Sequence, residues 1–147
     1  MKEVEKKFLN TDPEKLTKKL QNLGAEKTFE GLVETIYFDY PDNRFQKQDQ
    51  VLRARLMGNE KVEVVFKCNK RIQDGCKIYD EKEIFLTPND WDNITDLLQS
   101  IGFVQTMYFQ KHRTQFKLPN AKVEIDIYPE MDPFTEIEAI DTQTIEQ

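Results

Sequence analysis

The sequence predicts a mainly β (α+β) fold, an eight-stranded antiparallel β-barrel with flanking helices. Eight segments concentrate alternating, β-branched or aromatic residues in runs of strand length. Nearly all connections between them are short, so neighbouring strands should pair antiparallel. Most of the segments also carry charges two residues apart, which the alternation of a strand places on one face. Closing eight such strands into a barrel would remove their exposed edges.

The individual elements follow from the same local signals. The first predicted helix begins at the N-cap Asp12 and ends at Gly24, and the second begins after Thr87 and ends at Gly102. The predicted strands span residues 2–9, 27–40, 51–57, 61–70, 77–86, 103–118, 121–130 and 134–140. No linker, repeat or low-complexity tract interrupts them, so residues 1–147 are predicted to form a single domain.

Composition excludes several classes of protein. The net charge of −6 argues against a general nucleic-acid coat or a basic membrane-surface protein. Because no apolar run approaches the roughly 20 residues of a membrane span, we expect a cytoplasmic protein. A reducing compartment favours free thiols at Cys68 and Cys76, although a bridge across a hairpin stays open. With His112 and Ser100 as the sole residues of their types, a Ser/His triad is improbable.

Charged pairs recur on nearly every predicted strand. A sheet with one solvated face would explain any single pair. As a set, however, cations concentrate on the third, fourth and sixth strands and carboxylates on the fifth and eighth, whereas solvated faces mix signs more freely. The alternative is a barrel whose charged face encloses water and a ligand. The facing sets would be six cations (Lys7, Arg53, Arg55, Lys67, Lys111 and Arg113) and seven acids (Glu3, Glu5, Glu81, Glu83, Asp126, Glu136 and Glu138).

Such a charge distribution calls for two kinds of ligand. Carboxylates packed together repel one another and raise their own pKa values, and an oxygen-preferring divalent cation such as Mg²⁺ or Mn²⁺ resolves that conflict. The cations opposite them would then need an anionic partner. A polyphosphate supplies one, because arginine forks bind phosphate bidentately.

Taken in order, these segments resemble the CYTH domain family, the triphosphate tunnel metalloenzymes. The resemblance covers the whole chain and rests on Glu3-x-Glu5-x-Lys7, YFD (37–39), LRAR (52–55), the lysine of VVFKC (64–68), Glu81-x-Glu83, LLQSIGF (97–103), Lys111-x-Arg113, VEID (123–126) and EIE (136–138). It implies an eight-stranded antiparallel tunnel and a metal-dependent attack on a bound triphosphate. Family members include inorganic triphosphatases, thiamine triphosphatases and class IV adenylyl cyclases.

The site expected from this reading uses both charged sets. The six cations would bind the phosphoryl groups, and the seven acids would hold one or two metal ions. Glu5 and Lys111 are the predicted catalytic residues, with Lys111 as a general base whose pKa the neighbouring Arg113 would depress. Glu124 shares the face of Asp126 but is left outside the metal set, because it could lie near the tunnel mouth.

The sequence also departs from the family pattern. Thr35 stands where an acidic residue commonly precedes YFD by two, Tyr79 stands where an arginine is frequent, and Cys68 replaces a common glycine. A helix signal at 141–144 stops at Gln147, so the C-terminal helix is expected to be cut short. These departures make the choice of substrate uncertain.

Three functions therefore stay open. The leading prediction is hydrolysis of inorganic tripolyphosphate or of an organic or nucleoside triphosphate. The first alternative is a class IV-type adenylyl cyclase that makes cyclic AMP and pyrophosphate from ATP. The second is a non-catalytic polyphosphate-binding module. The expected partner is a triphosphate-containing small molecule, without nucleic acid or membrane, bound by a monomer or homodimer.

Overall fold

The computed structural model of the protein describes residues 2–9, 11–128 and 134–139. Its strands are β1 (Lys2–Leu9), β2 (Glu26–Asp39), β3 (Val51–Met57), β4 (Lys61–Gln73), β5 (Cys76–Leu86), β6 (Val104–Leu118), β7 (Ala121–Ile127) and β8 (Phe134–Ala139). Its α-helices are α1 (Pro13–Asn22), α2 (Arg44–Lys47) and α3 (Trp91–Ser100), the last preceded by a 3₁₀ turn at Pro88–Asp90. All eight predicted strands and both predicted helices are present, and α2 is an addition.

Hydrogen bonds join the strands in the order β1-β5-β4-β3-β2-β6-β7-β8, and β8 pairs antiparallel with β1. The sheet is therefore a closed barrel, as the short connections predicted. None of the helices that the structure describes is long and apolar enough to cross a membrane. The predicted third helix at 141–147 and the predicted strand ends at 129–130 and 140 lie outside the described residues.

The chain divides into two compact units. The first unit comprises residues 32–70 and 79–110. Within it, β2, β3 and β4 pair antiparallel, and the outer residues of this sheet pack against α3. Leu98 of α3 lies in one buried cluster with Ile36, Phe38 and Ala54, and Trp91 packs against that cluster. The alternation of β2 and β3 therefore buries one face under a helix and directs Thr35, Arg53 and Arg55 to the other.

The second unit comprises residues 2–31 and 71–78 and the described residues from 111 onward. Within it, β1, β8, β7 and the end of β6 pair antiparallel in that order. Leu20 of α1 is buried with Phe116, Val123 and Ile125 on one face of these strands. The N-cap of α1 is as predicted, because the Asp12 carboxylate accepts hydrogen bonds from the backbone N–H groups of the first helical turn.

Both cysteines are free, in agreement with the prediction for a reducing compartment. Cys76 is buried in a cluster with Val4 and Ile78, whereas Cys68 is partly exposed. A small buried thiol in apolar surroundings serves as packing.

Candidate functional site

In the second unit, strand register assembles a polar face across four neighbouring strands. Residues that lie directly opposite in an antiparallel pair point to the same side of the sheet. Glu5 lies opposite Glu138, Lys7 and Glu124 both lie opposite Glu136, and Arg113 lies opposite Asp126. The residues between the paired carboxylates are the apolar Val4, Ile125 and Ile137, which pack in the clusters with α1, Cys76 and Ile78. Period-two alternation thus separates a packed face from a face of ionic side chains.

This polar face carries two groups of three carboxylates. One consists of Glu3, Glu5 and Glu138, and the other of Glu124, Asp126 and Glu136. Within each group, one oxygen from each side chain lies within 4.8 Å of the other two. An all-oxygen set of this kind, supplied by neighbouring strands, fits a hard divalent cation such as Mg²⁺ or Mn²⁺. Five of these six acids belong to the predicted metal set, and Glu124 is the addition.

Buried cations lie directly against the second carboxylate group. Arg113, which is 1% exposed, donates from Nε to Asp126 Oδ1 at 2.8 Å and from Nη2 to Asp126 Oδ2 at 3.0 Å. It also pairs with Glu124 through Nη1. Lys111 Nζ lies 3.0 Å from Asp126 Oδ2. The two predicted phosphate-binding residues of β6 are therefore both in contact with carboxylates.

The ionisation of this group follows from those contacts. Burial alone would raise the pKa of Asp126, but the hydrogen bond and charge of Arg113, with Lys111, lower it to about 2. Burial likewise opposes the charge of Arg113, and the carboxylates of Glu124 and Asp126 outweigh it, so the Arg113 pKa rises well above its ordinary value. Both partners are charged at neutral pH.

The first carboxylate group has a different electrostatic balance. Burial, together with the charges of Glu124 and Glu3, raises the pKa of Glu138 well above its ordinary range. Lys122, whose Nζ lies 3.9 Å from Glu138 Oε2, acts in the opposite direction but is half exposed. Crowding of carboxylates is the condition that a divalent cation would relieve.

Lys7 lies at the more exposed end of the predicted cation set. Its side chain is 47% exposed, and Nζ lies 3.7 Å from Glu136 Oε1. Lys7 and Glu136 also line a cavity of about 230 Å³. The other lining residues are Glu5, Lys6, Gly75 and Lys77. An ammonium that keeps contact with solvent can meet an incoming anion with little desolvation.

The first unit has its own buried cations. Arg53, Arg55 and Lys67 are each less than 10% exposed and lie on the face of β3 and β4 turned away from α3. Lys67 Nζ lies 3.9 Å from Glu81 Oε2 and 5.3 Å from the centre of the Tyr79 ring. Buried arginines and lysines are uncommon unless paired, so their placement on one face is a specific feature of the molecule.

The predicted site residues are divided between the two units. The structure brings Glu3, Glu5 and Glu138 together, and Asp126 and Glu136 together with Lys111 and Arg113. Arg53, Arg55, Lys67 and Glu81 lie in the first unit, and Glu83 of β5 is exposed. The enclosure of both sets by one tunnel stays a prediction.

Sequence reasoning missed two acids. Glu124, expected near a tunnel mouth, is 2% exposed and contacts Arg113. Glu63 of β4 is also buried and lies directly opposite Arg55. The signal was available in both cases, because the alternation that selects Asp126 and Lys67 selects Glu124 and Glu63 on the same strands. Alternation predicts the face of the sheet on which a side chain lies, but not how deeply that side chain is buried.

The fold and these side chains define a closed antiparallel barrel protein with grouped carboxylates beside buried cations. The chain belongs to the CYTH family, because the CYTH domain model matches residues 1–146. No curated protein matches it.

Solved structures share the fold across almost the whole chain. The PH1819 protein from Pyrococcus horikoshii OT3 is 26% identical with a TM-score of 0.76, and the match covers 98% of this chain and 81% of that one. A candidate adenylate cyclase from Vibrio parahaemolyticus is 18% identical with a TM-score of 0.78, covering 98% and 80%. HpAC1 from Hippeastrum, a candidate adenylyl cyclase described as having a dominant triphosphatase activity, is 15% identical with a TM-score of 0.71, covering 98% and 82%.

Proposed function

We propose that this protein hydrolyses a triphosphate with the aid of Mg²⁺ or Mn²⁺. The observation that carries the proposal is the placement of two carboxylate groups on one strand face of the second unit, the second of them in contact with Arg113 and Lys111. Carboxylate oxygens suit a hard divalent cation, and guanidinium and ammonium groups suit phosphoryl oxygens. Membership of the CYTH family and the triphosphatase activity described for HpAC1 support the same reaction.

The acids would hold the divalent cation. The proposed ligands are Glu3, Glu5, Glu81, Glu83, Asp126, Glu136 and Glu138, with Glu124 added on the evidence of its position. A bound cation would offset the charge of the transferring phosphoryl group and help to orient the attacking oxygen. Since Glu3, Glu5 and Glu138 come from two paired strands, the backbone fixes their spacing before any ligand binds.

The cations would bind and orient the triphosphate. They are Lys7, Arg53, Arg55, Lys67, Lys111 and Arg113. The guanidinium forks of Arg53 and Arg55 can each bridge two phosphoryl oxygens, whereas the lysines act as point charges. Because most of these groups are buried, their attraction to a polyanion is weakly screened by salt. Binding by several cations holds the phosphorus in line with the attacking water.

A proton must leave the attacking water as the new phosphorus–oxygen bond forms. We assign Lys111 to accept it in its neutral form. The Lys111 ammonium lies 3.0 Å from Asp126, and this ion pair favours the protonated state of the lysine. The role therefore requires that contact to be broken before the chemical step.

A product assay tests the reaction directly. Purified protein is incubated with tripolyphosphate, ATP or thiamine triphosphate in the presence of Mg²⁺ or Mn²⁺, and the products are resolved. We expect orthophosphate and a diphosphate. Cyclic AMP with pyrophosphate would reject the hydrolase in favour of the cyclase. Binding of polyphosphate without turnover of any substrate would leave a non-catalytic module.

A substitution in the first carboxylate group tests the metal role. Glu5→Gln is expected to lower turnover by about 100-fold or more, because it removes a carboxylate ligand, while tripolyphosphate binding survives. Glu30→Gln makes the same charge change at an exposed residue that pairs with Lys27, and should leave turnover unchanged. Full activity in Glu5→Gln would refute the role of Glu5.

A second substitution tests the triphosphate clamp. Arg55→Ala is expected to raise the dissociation constant for tripolyphosphate by about tenfold or more, because a buried charge-assisted contact is lost. Arg44→Ala is the matched control, since Arg44 is exposed and pairs with Asp42. Isothermal titration calorimetry gives both constants, and equal affinities in the two variants would count against the clamp.

One observation favours the second candidate, an adenylyl cyclase acting on ATP. The first unit contains a cavity of about 390 Å³ whose lining includes Tyr37, Phe45, Gln46, Gln50 and Met107. Tyr37 lies directly opposite Arg53 in the sheet, so the cavity adjoins a proposed phosphate-binding residue. Aromatic rings and amide groups suit a planar base. A lower KM for ATP than for tripolyphosphate would support binding of the adenine base in this cavity.

A further inference from the structure

Arg113 contacts two of the three carboxylates in the second carboxylate group. Its Nε and Nη2 atoms are bonded to the two oxygens of Asp126 at 2.8 and 3.0 Å, and Nη1 pairs with Glu124. Lys111 adds a second contact to Asp126 Oδ2, at 3.0 Å. These carboxylates and Glu136 also form the group whose oxygens lie within 4.8 Å of one another. The same carboxylate oxygens could therefore either pair with Arg113 and Lys111 or coordinate a divalent cation.

The two uses compete. A divalent cation needs close contact with carboxylate oxygens at about 2.0–2.6 Å, and the Arg113 fork already covers both oxygens of Asp126. Arg113 and Asp126 are almost fully buried, so the pair has no solvent to replace either partner. A cation that binds Asp126 therefore competes with the fork for these oxygens, and a displaced fork would need another anion.

We propose that Arg113 is an exchange residue. It pairs with Glu124 and Asp126 in the structure, and when a divalent cation binds Glu124, Asp126 and Glu136 it would turn to a phosphoryl oxygen of the triphosphate. The exchange rests on the proposed function, and it makes the binding of cation and triphosphate mutually reinforcing, because each removes the partner that the other would have to displace. Glu124 thereby becomes a ligand of the site.

A purely structural ion pair predicts the opposite effect on metal binding. If Arg113 only holds the strands in place, its removal should disorganise the carboxylates, and metal affinity should fall or stay constant. If Arg113 competes with the cation, its removal should increase metal affinity although the site loses a contact. The sign of the change separates the two roles.

The experiment is a titration of Mn²⁺ alone into metal-free protein, with free Mn²⁺ counted by electron paramagnetic resonance. Arg113→Gln is expected to bind Mn²⁺ at this group about tenfold more tightly than the unchanged protein. Lys117→Gln controls for the general field, because Lys117 is an exposed cation on the same face of β6 and makes the same charge change. The double variant Arg113→Gln/Glu136→Gln should lose the gain, which assigns it to this group.

Arg113→Gln removes the cation that two buried carboxylates share and could fail to fold in chelated buffer. In that event, Mn²⁺ should restore its cooperative thermal transition, and a chain that stays unfolded at saturating Mn²⁺ overturns the exchange. A titration that superimposes on that of Lys117→Gln, or a gain that persists in the double variant, also overturns it. Either result alongside triphosphate hydrolysis by the unchanged protein leaves the proposed function intact. An unchanged protein that neither binds Mn²⁺ nor hydrolyses triphosphate overturns both.

Discussion

At the scale of single residues, the carboxylates of the polar face are crowded, and their mutual repulsion opposes folding. Glu138 shows this most clearly, because burial and the neighbouring Glu124 and Glu3 charges raise its pKa well above the value of about 4.5 expected for an exposed glutamate. A raised carboxyl pKa means that the folded state binds the proton more tightly than the unfolded state does. The contribution of Glu138 to stability is therefore fully present below the unfolded-state pKa and is lost as pH rises through the folded-state pKa.

Glu138→Gln is accordingly expected to stabilise the protein at pH 8 in chelated buffer. Glutamine keeps the shape of the side chain and removes the charge, so the free energy of unfolding should rise by about 1 kcal/mol. For a chain of this length, that corresponds to an increase in Tm of roughly 2–4 °C. At about pH 3 the difference should nearly vanish, because the carboxyl group is then almost entirely neutral in both states.

Thermal melts at the two pH values measure this effect. Glu60→Gln is the control, since it removes one negative charge at an exposed position in the β3–β4 turn. A Tm gain that is equal in both variants would show a general charge effect and would contradict a specific effect of the buried Glu138 carboxylate.

At the scale of elements, the strands were predictable and one helix was not. The strand Val51–Met57 has the same end residues as its prediction. Its arginines alternate with apolar residues, and this pattern is specific to a strand. The helix Arg44–Lys47 is only four residues long, too short to show helical periodicity. It depends on Asp39, at the end of β2, whose carboxylate accepts hydrogen bonds from the backbone N–H groups of Tyr40, Phe45 and Gln46 at 2.7, 2.9 and 3.1 Å.

Asp39→Ala should therefore destabilise the protein by about 2 kcal/mol, because three backbone donors in partly buried hydrogen bonds lose a charged acceptor. Urea unfolding measures the change, which should appear as a lower midpoint with an unchanged slope. Asp42→Ala is the matched control, since Asp42 is 56% exposed and its ion pair with Arg44 should contribute little. Equal midpoints for the two variants would mean that Asp39 does not hold this segment.

The same limit applies to the site. Alternation identified the strands that carry charge and the face on which each charge lies, so Glu5, Arg55 and Asp126 could be predicted from the sequence. It could not show that Arg113 would bond to both oxygens of Asp126, because that pairing depends on the register between β6 and β7. Nor could it show that Glu124 is buried while Glu83 is exposed. How deeply a strand residue is buried depends on the tertiary structure around it.

At the scale of the whole molecule, the proposed use of the two carboxylate groups predicts that a divalent cation stabilises the folded barrel. A ligand that binds only the folded state stabilises it by mass action, by about 2.7 kcal/mol at 100 times its dissociation constant. Saturating Mg²⁺ or Mn²⁺ should therefore raise Tm by roughly 5–10 °C for a chain of this size. Differential scanning calorimetry in chelated and in metal-loaded buffer, at matched ionic strength, measures the shift.

The double variant Glu5→Gln/Glu136→Gln removes one carboxylate from each group and should lose most of that shift. Its control is Glu26→Gln/Glu30→Gln, which removes the same charge from two exposed positions on β2 and should keep the shift intact. The comparison isolates specific coordination, because both double variants change the net charge of the protein equally and so respond alike to general screening. If metal raises Tm by the same amount in both, the cation binds elsewhere on this acidic molecule, and the assignment of the carboxylate groups as its site is wrong.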